Sequence, residues 1–170
     1  FPQQLPTPPE RVWAVDASGG WSVAGNWAPA EVPDANSHVA IFGSAISSPE
    51  TVAVNSSFTV KEMRFDNANT YTLDGTGTLT MDADVGHAAL TVEQGAHVLR
   101  TNISLADETT VTVAAGGSLA LDNPLELGNH MITLAGGGMV LVNGASSTNS
   151  GTVDVAAGVL GGTGTIAGDL

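Results

Sequence analysis

Apolar and polar residues alternate in short runs along most of this chain, and the runs recur at a fixed spacing. Leu90-Thr91-Val92, Val111-Thr112-Val113, Ile132-Thr133-Leu134 and Val153-Asp154-Val155 each open 21 residues after the one before. Gly95, Gly116, Gly137 and Gly158 keep the same interval, and so do Val98, Leu119 and Val140. Upstream, Tyr71-Thr72-Leu73 and Val52-Ala53-Val54 extend the series with a 19-residue step. Six units therefore start near residues 51, 71, 90, 111, 132 and 153. Apolar–polar–apolar is the signature of a strand with one buried face. In each unit a glycine turn follows, then a second apolar strand such as Ser118-Leu119-Ala120-Leu121 or Met139-Val140-Leu141-Val142. No segment carries helical periodicity.

A unit of about 20 residues cannot bury its own apolar side, so it must stack on its neighbour. Stacking places each strand beside its equivalent one coil away, parallel and about 4.8 Å distant. The predicted fold is all-β: a right-handed parallel β-helix, or solenoid, of about six turns with an N-terminal cap rich in Trp and Pro. The hand follows from the crossover rule. A Greek-key sandwich would explain short strands and turns, but not one interval shared by strand and glycine positions.

The N-terminal third reads differently. Residues 1–10 are an extended Pro-rich arm, residues 11–50 a cap, and residues 51–170 the solenoid. Phe1, Leu5, Pro6, Pro8 and Pro9 make the arm a candidate docking segment. Trp13, Trp21 and Trp27 suit a lid over the first coil, since large rings cover an exposed core well. Their alternative role, with Tyr71, is a platform that stacks on sugars. At the other end Thr165, Ile166 and Leu170 lie in a segment without Pro, charge run or bulky residue. That pattern predicts a bare strand edge, which either invites another strand layer or marks the chain as a piece of a longer solenoid.

Composition narrows the function. Seventeen acidic residues against four basic ones give a net charge of −13, which excludes nucleic-acid binding and attachment to anionic membranes. Cysteine is absent, so disulfides, thiolate metal sites and a cysteine nucleophile are excluded. No apolar run approaches the roughly 20 residues of a membrane-spanning helix. A first residue of Phe1 rather than Met fits either a mature, processed N-terminus or a trimmed chain.

Candidate chemistry is sparse. Asp66, Asp74, Asp82, Asp84, Asp107, Glu108, Asp122 and Glu126 supply carboxylates, but only Arg11, Lys61, Arg64 and Arg100 could partner them. Short coils leave little room for cleft-forming loops, so we read the chain as non-enzymatic, with no catalytic residues. Asp82 and Asp84, near His87, are a weak Ca²⁺ candidate, and no other metal or cofactor is expected. The four histidines lack metal-ligand spacing and read as surface residues.

Several segments resemble a known family. Val12-Trp13, Gly20-Trp21, Gly25-Asn26-Trp27, Val32-Pro33-Asp34 and Val39-Ala40-Ile41-Phe42 look like the opening of large bacterial surface proteins. The run from Met63 to Leu73 continues the likeness. Ala157-Gly158-Val159-Leu160-Gly161-Gly162-Thr163-Gly164-Thr165-Ile166 is similar to autotransporter-associated β-strand repeats. The resemblance implies an extracellular β-helix at a bacterial surface and transfers no catalytic residue. Two functions follow as expectations. One is a structural subunit that assembles head-to-tail with itself into a filament, stalk or layer. The other is a carbohydrate-binding module of a secreted polysaccharide-degrading system.

Overall fold

The computed structural model describes residues 9–146 and 150–167. No α-helix occurs among them, only one 3-10 turn at Ala24–Asn26. The strands of the first coils are β1 (Glu10–Trp13), β2 (Gly19–Gly20), β3 (Trp27–Ala28), β4 (Ala35–Phe42), β5 (Glu50–Ala53) and β6 (Phe58–Asp66). The middle holds β7 (Tyr71–Met81), β8 (Ala88–Gln94), β9 (Ala96–Leu105), β10 (Thr109–Val113) and β11 (Ser118–Leu121). The last coils hold β12 (Leu125–Glu126), β13 (Met131–Gly136), β14 (Met139–Val142), β15 (Thr152–Val155) and β16 (Val159–Gly161).

All of these strands but β3 stack as parallel ladders in about six coils, a β-solenoid. On a first face β1, β4, the second half of β6, β8, β10, β13 and β15 lie in that order. On a second face the order is β2, β5, the start of β7, the start of β9, β11, β14 and β16. A third ladder joins the start of β6 to the ends of β7 and β9 and then to β12. The long strands β6 and β7 serve two faces each, and breaks in register mark their corners.

Alternation explains why the coils hold. In β10 the burial pattern is strictly inward–outward, with Thr109, Val111 and Val113 inside. One continuous core runs from Trp13 through Phe42, Leu73, Leu99 and Val140 to Val153. Each fully buried Val or Leu contributes on the order of 1.5–3 kcal/mol, and a single coil could bury none of them alone.

The register departs from the 21-residue rule in three places. Val111 does not face Ile132; Thr109 does, and Val111 stands opposite Leu134. A shift of two residues keeps the same side chains inward, because strand side chains alternate with period two. Tyr71-Thr72-Leu73 does not lie beneath Leu90-Thr91-Val92. Leu73 pairs with Val52 and Leu99 on the second face, and Met63 is the residue under Leu90. The two segments share a pattern, and pattern alone cannot assign a face. Finally, Leu119 stands opposite His97, not Val98. This odd shift reverses the faces, so His97 is 1% exposed and Val98 points outward.

Residues 11–50 contribute β1, β2, β4 and β5 to the ladders as well as covering the end. Solenoid architecture thus begins at the first described strand rather than at residue 51.

Candidate assembly surface

The two ends of the solenoid are built differently. At the N-terminal end the segment after β2 folds back across the first coil. β3 pairs antiparallel with β1, setting Trp13 opposite Trp27, and so occupies the outer edge of the first face. The Asn26 side-chain amide donates to the Gly20 carbonyl at 3.0 Å, on the first strand of the second face. Trp27 Nε1–H donates to the Trp21 carbonyl at 2.8 Å, and Trp21 Nε1–H to the Pro33 carbonyl at 3.0 Å. Arg11, nearly buried, reaches Glu31 at 2.7 Å and ties the lid to β1.

The rings under this lid form a packed cluster. Trp13 meets Trp27 edge-on at 5.3 Å, and Trp21 stacks on Phe58 at 5.6 Å. Phe42, Phe65 and His97 continue inward as a column, with centroid separations of 4.9 and 4.8 Å. Trp13, Trp21 and Tyr71 are 0% exposed and Trp27 2%. The sugar-stacking platform expected from these four residues is therefore corrected. A ring whose faces are packed against Phe42 and Phe58 offers no surface to a sugar. The lid reading of the tryptophans is what the packing supports.

His97 corrects the expectation of surface histidines. Its Nδ1 accepts the Tyr71 backbone N–H at 3.1 Å, and Nε2 lies 3.0 Å from the Gln94 carbonyl. Those contacts fit the neutral ring with its proton on Nε2. Burial lowers its pKa, partly opposed by the Gln94 carbonyl, which favours the protonated form. Tyr71 donates its hydroxyl to the Gly43 carbonyl at 2.8 Å, and burial raises its pKa to about 12. No residue pattern signals the Asn67 brace: its amide donates to the Gly43 and Ile46 carbonyls, both at 3.0 Å. These groups serve corners of the coil.

The C-terminal end has no such lid among the described residues. β15 and β16 form the last layer, with Thr165 bridging Ala145 on the third face. Their outer edges face no described strand. Between them opens a cavity of about 260 Å³ lined by Val142, Val153, Leu160, Gly161, Gly162, Gly164 and Ile166. Val155 and Val159 beside it are 42% and 53% exposed. Thr165 and Ile166 thus sit at the open end; Leu170 lies outside the described residues, as do Phe1, Leu5, Pro6 and Pro8 of the arm. Pro9 is exposed, and its carbonyl accepts the Val39 N–H at 3.2 Å. Between residues 127 and 167 the only Asp, Glu, Lys or Arg is Asp154.

No protein-family model matches the chain, and no curated protein or solved structure is similar to it at a significant level.

The candidate carboxylates are spread over the coils. Asp84 meets Lys61 at 3.3 Å, and Asp82 accepts from the Asn36 amide at 3.3 Å. No group of three potential metal ligands occurs among the described residues. Asp122 bridges coils by accepting from Arg100 at 3.2 Å and Asn143 at 2.8 Å. Asp66 accepts from Gln94 at 2.9 Å. His87 lies 3.6 Å from Glu108 and 3.9 Å from Asp107, on the exposed surface. No helix among the described residues is long and apolar enough to cross a membrane.

Proposed function

We propose that this chain is an extracellular structural β-solenoid module, without catalytic activity, that self-associates through its open C-terminal end. The observation that carries the reading is the contrast between the ends. One has its strand edges and core closed by β3, Asn26 and three tryptophans. The other leaves strand edges and an apolar cavity uncovered by described residues. A bare parallel edge is a template for another layer. Charge points to the same end, because a chain of net charge −13 repels its copies. The stretch with a single acid is where two copies approach at least cost. The surface location rests on the resemblance to autotransporter-associated repeats.

Head-to-tail stacking needs a bare first layer to meet the bare last one. The lid favours instead a tail-to-tail contact, in which two last layers meet about a twofold axis. Glycan binding loses the platform proposed for it, and no described feature favours it over assembly. Sedimentation of the purified chain against a Val155→Lys variant tests the proposal. A dimer or larger species that the variant abolishes, with unchanged circular dichroism, supports it. A wild-type chain that stays monomeric at high concentration overturns it.

A further inference from the structure

At the corner between the second and third faces, one polar column ties successive coils together. Asp122 accepts from Arg100 Nε at 3.2 Å in the coil before it and from the Asn143 amide at 2.8 Å in the coil after. Asn143 in turn accepts the Thr163 backbone N–H at 3.3 Å from the last coil. An amide suits that middle place, because it donates on one side and accepts on the other. The next residue is held to one type. A Cβ at Gly144 would lie 2.2 Å from the Asn123 carbonyl carbon, so only glycine passes there. Asn143-Gly144 is the one Asn-Gly pair in the chain. It is also the dipeptide most prone to spontaneous loss of the side-chain amide, since glycine leaves its own nitrogen unhindered. Asn143 is exposed to water.

We infer that Asn143 is a site of covalent self-modification that unties the last coil. The Gly144 main-chain nitrogen attacks Asn143 Cγ, and the new C–N bond closes a five-membered imide. The bond from Cγ to the side-chain nitrogen breaks, and that nitrogen leaves as ammonia with the proton of the Gly144 N–H. Water then adds to one of the two imide carbonyls. Opening at Cγ leaves aspartate. Opening at the main-chain carbonyl leaves isoaspartate, in which the chain runs through Cγ. Aspartate turns a carboxylate towards Asp122 where the amide donated, and like charges so close repel. Isoaspartate adds a main-chain carbon at a corner with no room for a methyl group. It therefore displaces the Gly144 carbonyl, which accepts the Thr165 N–H at 3.2 Å.

The fold sets when this happens. The Gly144 N–H donates to the Leu121 carbonyl at 3.1 Å, and both ends of the Asn143 amide are held. Nitrogen and Cγ meet only after those bonds open. The last coil is where opening is easiest. β15 and β16 are paired on one side only among the described residues, and Val155 and Val159 are exposed. Lifting that coil releases Thr163 from Asn143. The rate of modification therefore follows how often the last coil opens, and the change is irreversible because ammonia is lost.

Ageing the purified full chain at mildly alkaline pH tests this. Mass spectrometry locates the amide-to-acid conversion, enzymatic methylation counts isoaspartate, and hydrogen exchange reads the last coil. Asn143 is expected to convert ahead of every other asparagine, and several-fold more slowly than in the urea-unfolded chain. The converted chain is expected to lose exchange protection in β15 and β16 while β10 keeps it. Val153→Ala removes a buried side chain from β15 and should speed conversion several-fold. A folded chain that stays unconverted while the unfolded chain converts fully would overturn the site. Equal rates in wild type and Val153→Ala would overturn its control by the last coil. Unaltered protection of β15 and β16 after conversion would overturn the untying.

Discussion

Gly116 and Gly136 both adopt backbone conformations that disfavour a side chain, with φ of +84° and +88°. Only one of them is pressed against another coil. An added Cβ at Gly116 meets nothing within 4 Å, whereas at Gly136 it would lie 2.1 Å from the Val113 carbonyl oxygen. Val113 is the residue opposite Gly136 in the adjacent coil, and its carbonyl accepts the Gly138 N–H at 2.9 Å. Gly116→Ala should therefore show the conformational cost alone. A left-handed alanine costs about 1–2 kcal/mol, and the stiffer unfolded chain offsets about 0.4–1 kcal/mol of that. The net loss is about 1 kcal/mol. Gly136→Ala carries the same cost and must also push the Val113 peptide away from its donor. Leaving one buried ladder group unpaired adds about 1–3 kcal/mol, for a total of about 2–4 kcal/mol. Urea unfolding followed by circular dichroism measures both variants, with the slope expected to stay unchanged. Two losses equal to within about 0.5 kcal/mol would mean that Gly136 is not in close contact with the next coil.

Two further perturbations probe the core. Val113 is 1% exposed and Thr112 points outward. Val113→Asp forfeits about 1.5–3 kcal/mol of burial and adds the several kcal/mol of an unpaired buried carboxyl, enough to unfold a domain of ordinary stability. Thr112→Asp should leave the dichroism spectrum and unfolding midpoint close to wild type, and equal behaviour of the pair would refute the inward assignment. His97 makes stability depend on pH. Its folded pKa lies below the unfolded value of about 6.5, so the unfolded chain binds the proton first. Stability is full above about pH 6.5 and falls as pH drops towards the folded pKa, by at most about 1.4 kcal/mol per pH unit for one proton. His38 shifts in the same direction, through burial and the nearby Arg11. His97→Gln should therefore flatten the slope only in part, and an unaltered slope in urea unfolding from about pH 7 to pH 5 would remove His97 from this role.

The repeat was legible because stacking demands it. Leu90 over Val111, and Ile132 over Val153, are pairs that the 21-residue interval gives directly. What the interval could not give was how corners absorb extra residues. The coil from β10 to β13 is longer by two, which slides the ladder without turning it over. Between β9 and β11 the slip is odd, which puts His97 where a valine was expected. A histidine tolerates that place only because Tyr71 and Gln94 supply hydrogen-bond partners, both contributed by corners. Composition also left the tryptophans between two roles. The backbone acceptors of Trp21 and Trp27, the Pro33 and Trp21 carbonyls, come from the folded-back segment, and this decides for the lid. The apolar character of Met139-Val140-Leu141-Val142 is plain in the sequence, but not which of its residues share a face with those of other coils. Only the ladder shows that Val98, Ala120 and Leu141 share an outer row.

The coiled, parallel arrangement can be tested with nuclear Overhauser contacts on the isotopically labelled chain. Parallel stacking predicts methyl cross-peaks joining Leu90 to Val111 and Val111 to Leu134, residues far apart in sequence that lie opposite one another in the ladder. Close Hα–Hα cross-peaks between 109–113 and 118–121, the mark of an antiparallel hairpin, would contradict it.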